Sequence, residues 1–187
     1  MVQYLRSSNP RLTRKAVTAM LFSRHLKLFS EGNKRAFASY IHQLSQSEEV
    51  QRLRTFRHHK EINRYDHAML VAYLSFALCR RWGWDDYAAA RAGLLHDLFW
   101  SECDGTFTLC LNHPETACRN AESLTGGLSP KERNIILSHM WPAGRHLPRS
   151  REAWMVDVID NLVTFMDLAN KSPKYSRTLD RYLAAVN

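Results

Sequence analysis

His67, His96, Asp97, His139 and Asp160 are polar residues set among apolar neighbours at helical spacing. His67 stands four residues before Val71 and seven before Leu74. His96 lies four after Ala92 and beside Leu95, and Asp97 follows it directly. His139 lies four after Ile135 and three after Ile136. Asp160 is flanked by Val158, Ile159, Leu162 and Val163. Residues at such intervals share one helical face, so these side chains are expected to turn inward. One inward histidine is ordinarily a core residue with its own backbone partner. Three of them with two acids are harder to satisfy separately, because an unpaired buried charge is costly. A shared metal ion satisfies them together, since neutral imidazoles and carboxylates are ordinary ligands of Zn, Mn or Fe.

The elements that must position these residues are helices. Gly and Pro number only 7 and 6 in 187 residues, and β-branched runs are scarce. The spacing predicts helices near 12–29 and 33–47, with Ser30-Glu31-Gly32-Asn33 as a turn between them. Further helices are expected over 65–82 and 86–98. Residues 102–112 read as a loop with a short hairpin. Pro114 suits the first turn of a helix running to about 124. Ser129-Pro130-Lys131-Glu132 forms a capping box with proline at the first helical position, starting a helix to about Trp141. Ser150 caps a long helix to about Leu168, and Ser172-Pro173 starts a last short one. The expected fold is an all-α bundle of about eight or nine helices.

Composition narrows the classes. No apolar run reaches the roughly 20 residues needed to span a bilayer, and the first residues carry no apolar signal core. A cytoplasmic location without membrane contact is expected. The four cysteines (Cys79, Cys103, Cys110, Cys118) form no CxxC pair and read as reduced thiols. The net charge is +8. Residues 1–60 hold 12 Lys and Arg against 3 Asp and Glu, so the basic character belongs to the N-terminal third. Such asymmetry marks either a nucleic-acid surface or a solvated helical face. The solvated face is the favoured reading of Arg11, Arg14, Lys15, Arg24, Lys27, Lys34 and Arg35.

The segments "YDHAMLVAYLSFALCRRWG", "ARAGLLHDLFW", "ILSHMWP" and "PRSREAWMVDVID" together resemble the HD-domain superfamily of metal-dependent phosphohydrolases, in particular its small bacterial members. The resemblance covers about residues 58–168. It implies an HD domain over 56–187, preceded by a basic helical segment, 1–55, packed on that core. It implies His67, His96, Asp97 and Asp160 as metal ligands, with Asp97 able to bridge two ions. Some branches of the superfamily carry two more histidines between the His-Asp pair and the last aspartate. His113 and His139 stand in that interval and are the expected ligands of a second ion. One or two divalent transition-metal ions are therefore expected, as Mn, Fe or Zn. The implied activity is hydrolysis of a nucleotide-like phosphoester by metal-activated water, with a phosphorylated small molecule or nucleotide as partner.

Departures from the superfamily pattern remove cations. Leu98-Phe99-Trp100 follows the His-Asp pair where the cyclic-dinucleotide branch has Gly-Lys, and Asp160-Asn161 stands where Asp-Lys is expected. Arg145, Arg149 and Arg151 are candidate replacements, with Arg145 taken as the catalytic cation beside Asp97. Glu102, with Asp104 beside it, is the candidate general acid or base. His59 matches a histidine of the close relatives. His25, His42, His58 and His146 read as surface residues. The competing expectation is a non-catalytic metal-binding protein that uses its basic N-terminal region to hold a partner or nucleic acid.

Overall fold

The computed structural model describes the backbone of residues 28–59, 62–100, 107–169 and 173–185. The described chain runs as α1 (Glu31–Ser45), α2 (Glu48–Gln51), a 3-10 turn (Arg52–Thr55), β1 (Arg57–His59), β2 (Ile62–Asn63), α3 (Arg64–Arg81), α4 (Asp86–Leu95), α5 (Phe107–Thr125), α6 (Pro130–Ser138), α7 (Arg151–Leu168) and α8 (Pro173–Ala185). It is a helical bundle with one two-stranded antiparallel ribbon, β1 on β2. No helix among the described residues is long and apolar enough to cross a membrane.

Each helix start has a local cause. Ser30, Asn63, Asp85, Ser129 and Ser150 each accept a backbone N–H from the residue three positions on, at the heads of α1, α3, α4, α6 and α7. Such caps satisfy amide donors that the helix itself leaves unpaired. At α6 the box is reciprocal: Glu132 also accepts from the Ser129 N–H, and Pro130 occupies the first turn, as the spacing predicts.

Two expectations are corrected here. Glu31, Gly32 and Asn33 belong to the first turn of α1, because Ser30 caps it through the Asn33 N–H and Glu31 lies at the positive end of its dipole. The helix expected to begin at Pro114 begins at Phe107, and the proline lies inside it. Proline there removes one backbone hydrogen bond. The Phe107–Asn112 segment, read from sequence as the end of a loop with a short hairpin, is helical. The helix expected at 12–29 and the cysteines Cys103 and Cys110 lie outside the described structure or side chains. Cys79 and Cys118 are buried free thiols.

α3 is the axis of the bundle. Fifteen of its eighteen residues are buried. It packs most extensively on α4, then on α7 and α8, while α4 also meets α6 and α1. The α3–α4 approach depends on Gly93, where a Cβ would stand 2.8 Å from the Ala72 Cα. Leu28, Phe37, Ile41, Val50 and Leu53 enter the same core as Leu70, Leu74, Leu94 and Ile159, so residues 28–55 pack on the rest of the bundle.

Candidate metal centre

The five residues that sequence spacing places inward, and His113 with them, converge on one buried point. His67 projects from the first turns of α3 and His96 is the residue that closes α4. His113 comes from α5, His139 closes α6, and Asp160 lies on α7. Asp97 follows α4 in a short non-helical stretch. That stretch is held from three sides. The Arg64 guanidinium donates to the Phe99 carbonyl at 2.6 Å and lies 3.7 Å from the Phe99 ring. Asn120 of α5 donates to the Leu98 carbonyl at 2.8 Å. Phe99 in turn stacks on His113, with ring centroids 4.9 Å apart.

The ring nitrogens are assigned by their neighbours. His96 Nδ1 donates to the Gly93 carbonyl at 2.8 Å, and His139 Nδ1 donates to the Ile136 carbonyl at 2.7 Å. Each ring therefore turns its Nε2 inward. His96 Nε2 lies 3.6 Å from Asp97 Oδ2 and 3.7 Å from Asp160 Oδ1, and it is buried without a hydrogen-bond partner. Two carboxylate oxygens thus stand beside His96 Nε2, neither within hydrogen-bond distance of it. His67 Nε2 reaches the same Asp160 oxygen at 2.8 Å. On the other side of Asp97, Oδ1 lies 3.1 Å from His113 Nε2 and 3.7 Å from His139 Nε2, and those two nitrogens are 2.8 Å apart.

These separations lie near the edges of a coordination polyhedron. With metal–ligand bonds of about 2.1 Å, adjacent ligands are about 3.0 Å apart in octahedral and about 3.4 Å in tetrahedral geometry. In three overlapping groups the ligand atoms all lie within 4.8 Å of one another: His67, His96 and Asp160; His96, Asp97 and His139; and His58, His67 and Asp97. The buried residues can hold a metal ion.

Electrostatics point the same way. Burial opposes ionisation of Asp97, yet His96, His113 and His58 outweigh it and hold the carboxyl well below the usual carboxylate range. Burial likewise opposes ionisation of Asp160, and the bond to His67 with the nearby His96 brings it down to about 2. Burial, then His96 and His113, push His139 down to about 3, so its imidazole is neutral at physiological pH. His67 is the exception. Burial disfavours its charge, but hydrogen bonds to Asp160 and Asp167 raise it to about 10. Without an ion, the His67 proton supplies the positive charge that the carboxylates require.

Three residues of the neighbourhood were missed from sequence. Asp167, fully buried, accepts from His67 Nδ1 at 2.7 Å and fixes that ring's orientation. Its signal was available: it lies seven residues after Asp160, on the same face of α7. His58, expected at the surface, lies on β1 with its Nδ1 3.7 Å from Asp97 Oδ2 and its ring 4.0 Å from that of His67. The ribbon folds the chain back just before α3 and carries His58 inward; the sequence offers no period over so short a strand. Asp157, one turn before Asp160 and buried, has its carboxyl raised to about 7 by burial and by Asp160, partly offset by the Trp141 N–H.

The remaining expectations divide. Glu102 and Asp104 lie outside the described residues, as does His25, and the side chain of His59 is not described. Arg145 lines a separate cavity on the other side of α6. His42 is half-buried, and His146 faces Glu115 at 3.2 Å. Asn161 is exposed and donates to the Asp157 carbonyl at 2.8 Å, so it brings no cation to the centre.

No family model matches the chain, and no curated protein or solved structure matches it either.

Proposed function

We propose that this chain is a metal-dependent phosphohydrolase of the HD type, acting on a nucleotide-like phosphoester with two divalent ions held on either side of Asp97. The observation that carries the reading is the division of the Asp97 carboxylate. Its Oδ2 faces His96 and His58, and its Oδ1 faces His113 and His139. One carboxylate between two sets of nitrogen donors is the arrangement of a bridging ligand. The order of the motifs along the chain supports the same reading by resemblance.

His67, His96, Asp160 and Asp97 would hold one ion; His113, His139 and Asp97 would hold the other. Divalent ions so placed lower the pKa of bound water toward neutrality and offset charge on phosphoryl oxygens. The protein's own part is preorganisation. The Gly93 and Ile136 carbonyls and the Asp167 carboxylate hold three imidazoles in the orientation that presents Nε2. The fully buried Leu95, Leu98 and Ile136, close in sequence to the ligands, lower the local dielectric and so strengthen the electrostatics of the site. Mn, Fe and Zn all suit this mixed nitrogen and oxygen set.

The test is a panel of phosphomonoesters, cyclic dinucleotides and dinucleoside polyphosphates offered to protein reconstituted with each metal. Metal-dependent turnover that disappears in Asp97→Ala supports the proposal. Stoichiometric metal with no turnover across the panel supports instead a non-catalytic metal-binding protein. The exposed, cation-free Asn161 favours that second reading.

A further inference from the structure

α6 presents two chemically opposite faces. Glu132, Ile135, Ile136 and His139 follow one another at helical spacing and are buried toward the bundle and the metal centre. Pro130, Arg133, Asn134 and Leu137 follow the same spacing a half-turn away. They line a cavity of about 640 Å³, closed on the other side by Arg145, His146, Leu147, Arg149 and Ser150. Lys131 completes the lining, and no carboxylate belongs to it.

The four cations of this cavity are not equally balanced. Lys131 is tied to Asp85 at 2.8 Å and to Glu152 at 3.5 Å, and Arg133 is tied to Glu122. Arg145 and Arg149 have no carboxylate partner among the described residues. Two positive charges therefore face the space uncompensated. The end of the loop, around Arg149, is fixed. Asn134 donates to the Leu147 carbonyl at 3.1 Å and accepts from the Arg149 N–H at 2.8 Å, and Ser150 caps α7. A rigid backbone bearing forked guanidinium donors suits phosphate oxygens, which they bind in pairs. Pro130, Leu137 and Leu147 add apolar wall. The volume falls within the range of small-molecule sites, about 300–1,000 Å³.

We infer that this cavity is a second ligand site, separate from the metal centre, which binds the phosphate chain of a nucleoside polyphosphate. The recognised chemistry is a multiply charged phosphate chain. Arg145 and Arg149 grip it, and the leucine wall receives the less polar end. The inference stands on the cavity and its charge, so it survives or fails independently of the metal-centre reading.

The probes are ATP, inorganic tripolyphosphate and a 20-nucleotide single-stranded RNA. They are titrated calorimetrically into the full chain with metal removed, so that the metal centre cannot hold phosphate through an ion. The variants are Arg145→Gln with Arg149→Gln, and, as a control of equal charge loss on α8, Arg177→Gln with Arg181→Gln. Circular dichroism confirms folding of each. The expected result is micromolar ATP binding that weakens at least ~10-fold in the first pair, the scale of losing charged hydrogen bonds, and less than about 2-fold in the control. Equal binding of ATP and tripolyphosphate supports the site and assigns recognition to the phosphate chain alone. Tighter ATP binding supports it and adds the nucleoside. No ATP binding at millimolar concentration overturns the proposal. So does equal weakening in both variant pairs, or an RNA affinity that exceeds ATP by more than ~10-fold.

Discussion

The two faces of α6 handle charge in opposite ways. The inner face meets a centre where carboxylates are buried, ionised and crowded among imidazoles. The outer face meets a half-open cavity where Arg145 and Arg149 have no carboxylate beside them among the described residues. The inner site is short of positive charge and the outer site is short of negative charge. A site of the first kind selects a cation through many ligands fixed in place, and its burial makes it less sensitive to salt. A site of the second kind selects an anion through a few strong, exposed donors, and salt weakens it. A single helix of nine residues carries both behaviours.

The largest expected effect breaks the inner site. Asp97→Ala removes the carboxylate shared by both nitrogen sets. Elemental analysis should find the wild type with about two ions per chain after Mn or Zn reconstitution, by ligand count, and the variant with almost none. Hydrolytic activity should fall at least ~10²-fold. Retention of both ions in Asp97→Ala would remove the bridging role and with it the contrast drawn above.

Asp167→Asn acts one step further out. It keeps the side-chain shape but weakens the acceptor that orients His67. Metal affinity should fall by roughly 10- to 100-fold, the usual cost of losing a partner behind a ligating histidine. Competition with a chelator reads this directly. An unchanged affinity would mean that Asp160 alone orients the ring.

Protonation distinguishes the metal-free from the metal-loaded inner site. In the metal-free protein, His67 is raised from 6.5 to about 10. A folded pKa above the unfolded one contributes stability that is complete below the unfolded value and is lost as pH rises through the folded one. Metal-free protein should therefore lose stability in urea melts between about pH 6.5 and 10. Metal-loaded protein should lack this dependence, because the ion replaces the proton. Loading should also release protons into weakly buffered solution. Parallel profiles for the two forms would contradict this exchange.

Gly93→Ala probes the packing that brings the ligands together. The new methyl meets the Ala72 backbone at 2.8 Å. A cost of about 1–3 kcal/mol is expected from overpacking, measured by denaturant melts. Metal affinity should drop as well, since the Gly93 carbonyl orients His96. The smallest effect belongs to the outer face. Arg145→Gln with Arg149→Gln should change stability by no more than about 0.5 kcal/mol, as exposed substitutions do. Metal content should stay the same.

The centre was more legible in the sequence than its surroundings. His67, His96, His139 and Asp160 lie on helices with a strong apolar period, so their inward direction follows from spacing alone. Asp167 obeys the same period, but it stands near the end of α7, where the apolar pattern thins. His58 was illegible for another reason. Its strand has three residues, too few to display an alternation, and its position depends on the pairing of Arg57 with Asn63 across the ribbon. The start of α5 was obscured by Pro114, whose preference for a first turn outweighs the helix-forming residues before it in any local reading. The basic cavity had no linear signature at all. Its lining joins one face of α6 to a loop a dozen residues later, and the Asn134 contacts that join them are tertiary.

The grip of α7 on His67 has a mechanical side. Asp160 and Asp167 are separated by about 10 Å of helix axis, at 1.5 Å per residue, yet they meet the two nitrogens of a single ring. Sliding α7 by one turn would set Val156 and Val163 against those nitrogens and leave both unpaired, at about 1–3 kcal/mol each. The pair acts as a detent that fixes α7 against α3 in one axial position. Any shape change on ligand binding is then denied to the relative placing of these two helices and must be taken up elsewhere in the bundle.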